Sequence, residues 1–588
     1  MMNKISIHNV ETLVVGGGGA GLSAALFLAE QGLNPVILSK LPIYQSHTVA
    51  AKGGINAALG NKEKDDWRWH YFDTIKGSDY LADGDAVEIL CEKAPETIIW
   101  LEKIGMPFSR DKNGKIYQRI YGGQSSDFGQ GPPPPRACAA ADRTGHALLH
   151  SLAQQILRFG VKIFEPIIVV ELLRDKTGAV RGVLALDSAR GEWQIWQAKH
   201  GVLIATGGFG QAFATSSAAY SCSGDGGGMI LRAGLPLQDM EFVQFHPTGL
   251  YGSGLLISEA SRAEGGVLLN SLGERFMLKI APNAGDLAAR DVIARAMVRE
   301  IAMGNGCGPK RDHILLSLSH LPAEIISERL PSVIQTARQF ARIDPLKQPI
   351  PVLPTAHYTM GGIPTEISAQ VLDHENKKVP GLFAAGEAAC SSVHGANRLG
   401  CNGLLELLIF GKQAAFSMAQ SSALRKEHDF INQSNQAIKR YMAWFDYKNG
   451  PTPDKARRQL QKIMSDFCGV ERTKNDLQTG VTLIENLRKE SVNFSIDENG
   501  LQWNESLREA IETENLLLQA QACLNSALQR EESRGSHWRS DFPERDDKNW
   551  LAHSRVWIES DKWHFSKANV RAPNNDSLPN ISPQNRQY

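Results

Sequence analysis

The feature that most constrains the fold lies near the start of the chain, where a glycine-rich turn joins an apolar segment to a helical one. Residues 11–15 read ETLVV, residues 16–21 read GGGGAG, and an alanine-rich apolar segment then runs to Gly32. PVILS at 35–39 is a second apolar segment of strand length. Strand, glycine turn, helix and strand in this order open a doubly wound sheet. The sequence therefore predicts an α/β fold built on a Rossmann-like domain.

The spacing of the glycines predicts what the turn binds. Gly16, Gly18 and Gly21 fit the pattern G-x-G-x-x-G, which permits a tight turn, a close approach to a pyrophosphate and close helix–strand packing. Ser39 and Lys40 stand where NAD-binding chains usually carry an acidic residue for the ribose, which disfavours a standard NAD site. The candidate nucleotide contacts in this region are Gly16, Gly17, Gly18, Gly19, Ala20, Gly21, Ser39 and Lys40.

The length of the chain and the change of periodicity along it predict several domains. At 588 residues the chain exceeds what one compact hydrophobic core usually holds. Strand-like apolar segments that contain glycine recur at 201–208 and 381–387, and after about residue 420 the apolar period becomes helical. We expect a nucleotide-binding domain at 1–239 and 354–420, an inserted α+β capping domain at 240–353, a C-terminal helical domain at 421–535 and an irregular tail domain at 536–588.

The composition disfavours several classes of protein. Lys+Arg and Asp+Glu are equal at 63 each, so bulk charge does not indicate a nucleic-acid partner. The eight cysteines are scattered without a CxxC pair, which argues against a disulfide framework or an iron–sulfur ligand set and favours reduced thiols in the cytosol. No apolar run approaches the roughly 18 residues that cross a bilayer. If a membrane is involved, we expect another polypeptide to supply the anchor.

A series of motifs further along the chain indicates a specific family. In chain order they are SHTVAAKGGINAALGN at 46–61, FHPTG at 245–249, ISEASRAEGG at 257–266, DLAARDVIAR at 286–295, PTAHYTMGGI at 354–363 and HGANRLG at 394–400. With these motifs in order the chain resembles the flavoprotein family of succinate dehydrogenase and fumarate reductase over essentially its whole length. GGQS at 122–125 and RDDKNW at 545–550 resemble the dehydrogenase more than the reductase.

The resemblance implies FAD as the cofactor, bonded covalently through its 8α-methyl group to His47. A neutral imidazole nitrogen is a suitable nucleophile for that methyl group. Lys52 departs from the Gln or Glu that is usual in the family, and a cation there would favour reduced flavin. Gly403 replaces a serine hydroxyl but keeps the backbone donors. The implied flavin contacts are Ser46, His47, Thr48, Gly53, Gly54, Asp225, Glu387, Gly403 and Leu404.

The motif residues also suit a C4 dicarboxylate, which presents an anionic group at each end. Arg398 is the natural clamp, because an arginine fork donates two parallel hydrogen bonds to a carboxylate. His246, Ser258 and His357 would supply further donors.

Removing two hydrogens from adjacent carbons requires a hydride acceptor and a proton-transfer group. The resemblance implies that flavin N5 takes the hydride and that Arg290, in the RD motif, transfers the proton. Because a guanidinium group is a poor base, we expect Glu259 and Arg262 to complete a proton relay.

The resemblance implies a catalytic flavoprotein subunit of a succinate:quinone oxidoreductase, peripheral to the cytoplasmic face of a bacterial inner membrane. Electrons would leave through a partner iron–sulfur subunit held by membrane-anchor subunits. Three alternatives remain. A fumarate reductase would share the architecture, and an L-aspartate oxidase is disfavoured by His47 and the RDDKNW tail. The third alternative is a non-catalytic flavoprotein scaffold, whose active site would have been damaged by Lys52 and Gly403.

Overall fold

The structure is a computed structural model, and it describes residues 5–421, 429–579 and 581–584. In chain order the strands are β1 (Ser6–Val10), β2 (Thr12–Val15), β3 (Pro35–Leu38), β4 (Ile55–Asn56), β5 (Gln118–Arg119), β6 (Ala137–Cys138), β7 (Lys162–Phe164), β8 (Ile167–Arg174), β9 (Val180–Asp187), β10 (Glu192–Ala198), β11 (Val202–Ile204), β12 (Leu237–Gln238), β13 (Val243–Leu250), β14 (Val267–Leu269), β15 (Ile314–Ser317), β16 (Ile350–Thr359), β17 (Ile363–Pro364), β18 (Gln370–Leu372), β19 (Lys378–Ala384), β20 (Ala389–Cys390), β21 (Ala552–Glu559) and β22 (Lys562–Asn569). The α-helices are α1 (Gly19–Glu30), α2 (Trp67–Gly77), α3 (Gly84–Lys103), α4 (Thr144–Arg158), α5 (Asp225–Arg232), α6 (Ala260–Ala263), α7 (Met277–Ile280), α8 (Arg290–Glu300), α9 (Ala323–Arg329), α10 (Pro331–Thr336), α11 (Asn402–Gln420), α12 (Ile431–Met442), α13 (Pro453–Phe467), α14 (Lys474–Ser491), α15 (Glu505–Gln529) and α16 (Asp547–Trp550).

A six-stranded, mainly parallel sheet carries the nucleotide-binding part of the fold. Its order is β18–β19–β11–β2–β3–β7, with only β18 antiparallel to its neighbour. β2 and β3 are buried along their whole length, as their continuous apolar sequences require of strands covered on both faces. Helix α1 packs against both α4 and α11 on one side of the sheet. The predicted α/β fold with a doubly wound sheet is confirmed.

An antiparallel sheet of order β13–β16–β15–β14 marks the inserted part of the chain. One cluster of buried apolar side chains is made entirely of residues between Leu250 and Val352. This part therefore has its own core, and β13 and β16 connect it to the rest of the fold. We call it the cap. Its α6 and α8 begin at residues of the ISEA and RD motifs.

The C-terminal part is helical, as the periodicity predicts. Helix α15 packs against α13 and α14, and also against α5 of the nucleotide-binding part. Most residues in the second half of α15 are buried, because the helix is covered from both directions. The first residues of the predicted helical domain, 422–428, lie outside the described residues.

The tail is more regular than the sequence indicates. We expect an irregular segment from residue 536, but β21 and β22 form an antiparallel hairpin that pairs with β12. The sequence did not indicate this hairpin because β22 is nowhere fully buried. An exposed strand carries charged and aromatic residues and lacks the alternating apolar pattern that predicts a strand. Among the described residues no helix has both the length and the apolar character needed to cross a bilayer.

Candidate active site

The glycine turn between β2 and α1 forms one end of a long cavity. Gly16 has a φ of 115°, and a side chain there would collide with the carbonyl group of Ala205. A Cβ on Gly21 would meet the carbonyl oxygen of Gly16, so Gly21 lets α1 close against the turn. The Gly19 N–H donates to Thr48 Oγ1 at 3.0 Å. The helix N-terminus therefore faces enclosed space that suits a pyrophosphate.

Nearly all of the predicted site residues come together in this cavity. Two do not line it: Gly21 packs behind the turn, and Arg262 lies behind Glu259. The predicted residues that do line it are Gly16, Gly17, Gly18, Gly19, Ala20, Ser39, Lys40, Ser46, His47, Thr48, Gly53, Gly54, Asp225, His246, Ser258, Glu259, Arg290, His357, Glu387, Arg398, Gly403 and Leu404.

Lys40 and Ser39 follow β3 and are already engaged inside the protein. The Lys40 ammonium lies 2.8 Å from Asp225 and 2.7 Å from Glu512. Burial lowers the pKa of Lys40, but the two carboxylates outweigh burial and raise that pKa above its ordinary value. The Ser39 hydroxyl donates to the carbonyl of Leu41 at 2.6 Å. Both side chains that line the cavity here are therefore held in place by bonds to other residues of the protein.

Glu387 and Gly403 also line the cavity. The Glu387 carboxylate accepts hydrogen bonds from the N–H and the hydroxyl of Thr359 at 3.0 and 3.2 Å. Burial raises the pKa of Glu387 to about 7. Gly403 is the second residue of α11, and its missing Cβ would stand 3.1 Å from Arg398 Nη1. The glycine therefore leaves room beside that guanidinium group.

His47 lies in a short 3₁₀ segment of the cavity wall, His47–Ala50. Its Nδ1 accepts the Ala219 N–H at 3.1 Å. Burial, helped by the positive charge of Arg398, lowers the pKa of His47 to about 4. The imidazole is therefore neutral at physiological pH, and Nε2 is the nitrogen left for a bond to a ligand.

Lys52 connects the cavity wall to the cap. Its ammonium donates to the Leu256 carbonyl at 3.1 Å and to Thr336 Oγ1 at 3.2 Å, and both acceptors belong to the cap. Burial lowers the pKa of Lys52, and Asp142 opposes that shift. The cation expected beside the nucleotide thus also holds two segments of the cap.

Two histidines face each other in the part of the cavity next to the cap. The ring centroids of His246 and His357 are 4.9 Å apart. His357 Nδ1 is 2.8 Å from Ser217 Oγ, and His246 Nδ1 accepts the Thr248 N–H at 3.2 Å. Burial, and after it Arg290, lowers both pKa values far below the ordinary value. Both rings are neutral, so His246 carries its proton on Nε2 and can donate it to an anion.

Arg398 and Ser258 provide further donors. The Arg398 guanidinium lies 4.4 Å from the ring centroid of Tyr358, and its Nε has no hydrogen-bond partner among the described residues. Burial and the nearby charge of Arg290 lower the pKa of Arg398 to about 10. Ser258 Oγ accepts the Ala260 N–H at 3.2 Å, so its hydroxyl proton is left to point elsewhere. A buried cation with an unused donor favours an anionic ligand.

Arg290, Glu259 and Arg262 form the predicted chain of charges. Arg290 Nε donates to Glu259 Oε2 at 2.7 Å, and Arg262 Nη2 lies 3.8 Å from the same oxygen. Burial raises the pKa of Glu259, but the two arginines outweigh burial and hold the pKa below its ordinary value. Glu259 is therefore an anion between two cations, and both Glu259 and Arg290 line the cavity, whereas Arg262 does not.

Three residues that the sequence did not single out complete the site. Gln244 Oε1 accepts from Arg290 Nη1 at 2.9 Å, and Gln244 Nε2 donates to the Arg398 carbonyl at 2.9 Å. Ser217 fixes the His357 ring, and Tyr121 lines the cavity beside Arg290. No local pattern marks these positions, because their partners lie far away in the chain.

Two protein-family models and several known proteins match most of the chain. A family model described as "FAD binding domain" matches residues 11–404, and one described as "Fumarate reductase flavoprotein C-term" matches residues 457–588. The chain is 48% identical over 590 residues to the mitochondrial succinate dehydrogenase flavoprotein subunit of Oryza sativa, covering 99% of this chain and 93% of the relative. It is 49% identical to the succinate dehydrogenase flavoprotein subunit of Rickettsia bellii, covering 94% and 93%.

Fumarate reductases are also similar. The fumarate reductase flavoprotein subunit of Mycobacterium tuberculosis is 38% identical, with 94% of this chain and 95% of the relative covered. Among solved structures, a mutated E. coli quinol fumarate reductase superposes with a TM-score of 0.92 at 33% identity over 99% of both chains. The Sdh1 complex of Mycobacterium smegmatis with UQ1 gives a TM-score of 0.84 at 33% identity, covering 97% and 96%.

Proposed function

From the chain's membership of the succinate dehydrogenase and fumarate reductase flavoprotein family, which makes it an FAD-dependent oxidoreductase, we propose that it oxidises succinate to fumarate. In this proposal it is the flavoprotein subunit of a succinate:quinone oxidoreductase. The observation that carries the proposal is the buried pair of Arg290 and Glu259, which shares one cavity with the glycine turn. Proton transfer and redox chemistry can therefore act on the same ligand.

The residues of the cavity fit FAD. The glycine turn offers backbone donors to a pyrophosphate, and Ser46 Oγ has no partner among the described residues. FAD, when bound, supplies the acceptor for the hydride. We propose that His47 carries the covalent link through Nε2, because its Nδ1 already accepts the Ala219 N–H. That bond would survive the linkage, since an imidazole alkylated at Nε2 keeps an acceptor at Nδ1.

The donors of the cavity suit the two ends of succinate. His246, Ser258 and His357 are neutral, whereas Arg398 brings a positive charge with an unused Nε–H. Neutral histidines avoid adding two more positive charges beside the arginines. Arg398 would therefore clamp one carboxylate, and the neutral donors would orient the dianion.

Arg290 is the group that would receive the proton during succinate oxidation. Succinate loses one hydrogen as a hydride and one as a proton from the adjacent carbon. For this, the Glu259 carboxylate, 2.7 Å from Arg290 Nε, would first take a proton from the Arg290 guanidinium, and the neutral guanidine would then accept the proton that succinate loses. Arg262, 3.8 Å from Glu259, helps to hold the pKa of Glu259 low, so that the carboxyl group passes its proton on. In the opposite direction Arg290 would donate the proton to fumarate.

We also propose partner subunits for the electrons. Among the described residues no group of His, Cys, Asp and Glu could hold a metal ion, and electrons from the cofactor need an acceptor. An iron–sulfur subunit with membrane-anchor subunits, at the cytoplasmic face of a bacterial inner membrane, would provide one. Copurification with a polypeptide that shows iron–sulfur absorbance tests this part of the proposal.

The proton-transfer assignment is tested by Arg290→Gln in the assembled, FAD-loaded enzyme. We expect succinate oxidation with an artificial acceptor to fall by about 10²–10⁴-fold, which is the usual contribution of a proton-transfer group. Arg299→Gln is the matched control: Arg299 lies on the same helix, but its side chain is 51% exposed and pairs with Glu471. Comparable activity of the two variants would remove Arg290 from the mechanism.

The covalent link is tested by acid denaturation and gel electrophoresis of the wild type and of His47→Ala. We expect flavin fluorescence to stay with the wild-type polypeptide and to be absent from the variant. If the wild-type flavin washes out although succinate is oxidised, the link through His47 is wrong while the activity stands. If the protein oxidises L-aspartate with oxygen and does not oxidise succinate, the aspartate oxidase alternative is correct.

A fumarate reductase is the second candidate, because the same cavity can run in both directions and a fumarate reductase flavoprotein subunit is 38% identical to the chain. The ratio of fumarate reduction to succinate oxidation by one preparation distinguishes the two. A ratio well below one at equal substrate saturation supports the dehydrogenase, and a ratio well above one supports the reductase.

A further inference from the structure

Tyr121 occupies a position in the site that the proposed mechanism does not use. The flavin cavity adjoins a second cavity of about 310 Å³, and the two share four lining residues. Three of these are Glu259, Arg290 and Arg398, which the proposed mechanism already employs. The fourth is Tyr121, which is only 1% exposed to solvent.

The Tyr121 hydroxyl is a buried donor without an acceptor. It has no hydrogen-bond partner of adequate geometry among the described residues. Burial raises the pKa of Tyr121 well above its ordinary value, so the phenol keeps its proton at any physiological pH. An unpaired buried hydroxyl destabilises the ligand-free protein, so a ligand that accepts a hydrogen bond from it gains affinity.

The neighbours of Tyr121 place it beside the reacting groups. The missing Cβ of Gly400 would stand 3.4 Å from the tyrosine ring, and 3.6 Å from both Arg290 Nη2 and Glu259 Oε2. The missing Cβ of Gly53 would lie 3.2 Å from the Tyr121 hydroxyl oxygen, so that glycine leaves the hydroxyl uncovered. The nearby Cys401 thiol stays protonated, because burial raises its pKa to about 12, and a neutral thiol is a weak acceptor.

We propose that the Tyr121 hydroxyl donates a hydrogen bond to an oxygen of the bound dicarboxylate and so contributes to substrate recognition. This inference rests on the proposed function and deepens it. The cavity around the hydroxyl already holds the cations Arg290 and Arg398, which favour an anionic ligand. The Tyr121 hydroxyl adds a hydrogen-bond donor, which favours a ligand whose negative charge lies on oxygen atoms. Tyr121 is thus a neutral donor that supplements two charged ones.

The test uses Tyr121→Phe in the assembled enzyme and measures the dissociation constant of malonate, an unreactive dicarboxylate, from the change in flavin absorbance. We expect malonate to bind about 10- to 100-fold more weakly, because a hydrogen bond to a charged group contributes about 1.5–3 kcal/mol. The KM for succinate should rise by a similar factor, whereas the flavin midpoint potential without ligand should stay unchanged. Tyr251→Phe is the matched control, since the Tyr251 hydroxyl bonds Asp312 at 2.6 Å within the cap.

Two outcomes would overturn the inference. Unchanged malonate affinity with a shifted flavin potential would mean that the hydroxyl contacts the flavin instead, and unchanged values of both would leave Tyr121 a packing residue. Either result leaves the proposed function intact, provided that the wild type oxidises succinate. A wild-type enzyme that binds neither malonate nor succinate would contradict the proposed function itself. Retained flavin and an unchanged melting temperature establish that Tyr121→Phe is folded.

Discussion

At the residue scale, two glycines near the two ends of α1 differ sharply in the substitutions that they tolerate. Gly21 has no room for a methyl group, because its Cβ would meet the Gly16 carbonyl oxygen. Gly32, at the end of the same helix, has a φ of 82° and nothing within 4 Å of its missing Cβ. The first glycine is required by packing and the second only by backbone conformation.

We therefore expect Gly21→Ala to abolish FAD retention or to prevent folding. Gly32→Asn should keep FAD and lose only about 1 kcal/mol of stability, since asparagine accepts the left-handed conformation more readily than other residues. Flavin content per polypeptide and thermal unfolding of the two variants measure the difference. Full flavin content in Gly21→Ala would mean that α1 can shift away from the turn.

The glycine turn could be predicted from the sequence because its pattern lies within six consecutive residues, 16–21, between an apolar strand and an apolar helix. His47, Arg290 and Arg398 are far apart in the chain, and only the order of the family motifs brought them into one predicted site. Tyr121 and Gln244 escaped prediction although each directly precedes a family motif, GGQS at 122–125 and FHPTG at 245–249, because a tyrosine or a glutamine carries no chemical signal of its own in the sequence. Their roles depend on an orphaned hydroxyl and on contacts to distant arginines.

At the scale of elements, Lys52 is a contact between the glycine-bearing wall and the cap. Lys52→Met keeps the apolar stem and removes the hydrogen bonds to Leu256 and Thr336. We expect the cap to close about tenfold less favourably, since hydrogen bonds from a charged group contribute about 1.5–3 kcal/mol. Amide hydrogen exchange of residues 250–258 should quicken in the holoenzyme, and the KM for succinate should rise.

Lys62→Met is the control for this prediction, because Lys62 is an exposed lysine ten residues further along the chain. The sequence suggested a different role for Lys52, in which its charge stabilises reduced flavin. Unchanged exchange of residues 250–258 together with a lowered flavin midpoint potential would favour that redox role over the contact with the cap.

The helices and strands that could be predicted from the sequence are those that are buried completely or on one face. β2, β3 and α1 are buried along most or all of their length, and their apolar runs show it. The β21–β22 hairpin was missed because its second strand lies at a half-exposed surface and has no apolar period. Its stability comes from pairing with β12 and from buried charges that a linear pattern does not reveal.

At the scale of the whole molecule, His553 ties the tail to the nucleotide-binding part. Its Nδ1 lies 2.6 Å from Asp239, and its Nε2 lies 3.1 Å from Asp83. Burial lowers the pKa of His553, but the two carboxylates outweigh burial and raise the pKa to about 10. The charged imidazolium therefore joins three distant parts of the chain.

His553→Gln should destabilise the fold by about 3–5 kcal/mol near pH 6, because it removes the cation that two buried carboxylates share, although Asp83 keeps its pair with Arg571. The folded-state pKa exceeds that of the unfolded chain, so the contribution is complete below about pH 6.5 and is lost as the pH rises toward 10. Denaturant unfolding of both proteins between pH 6 and 9 should show the stability gap narrowing with increasing pH. A constant gap would mean that His553 acts only through packing.

The cap carries Arg290, whereas the glycine turn belongs to the six-stranded sheet, so in the proposed reaction the proton-transfer group and the cofactor would be held by separate parts of one chain. A misplacement of about 1 Å between reacting groups can lower a rate by about 10²-fold. Turnover should therefore follow the fraction of time that the cap spends closed. In that case solvent viscosity, which slows large motions and leaves bond breaking untouched, would limit the speed of the enzyme.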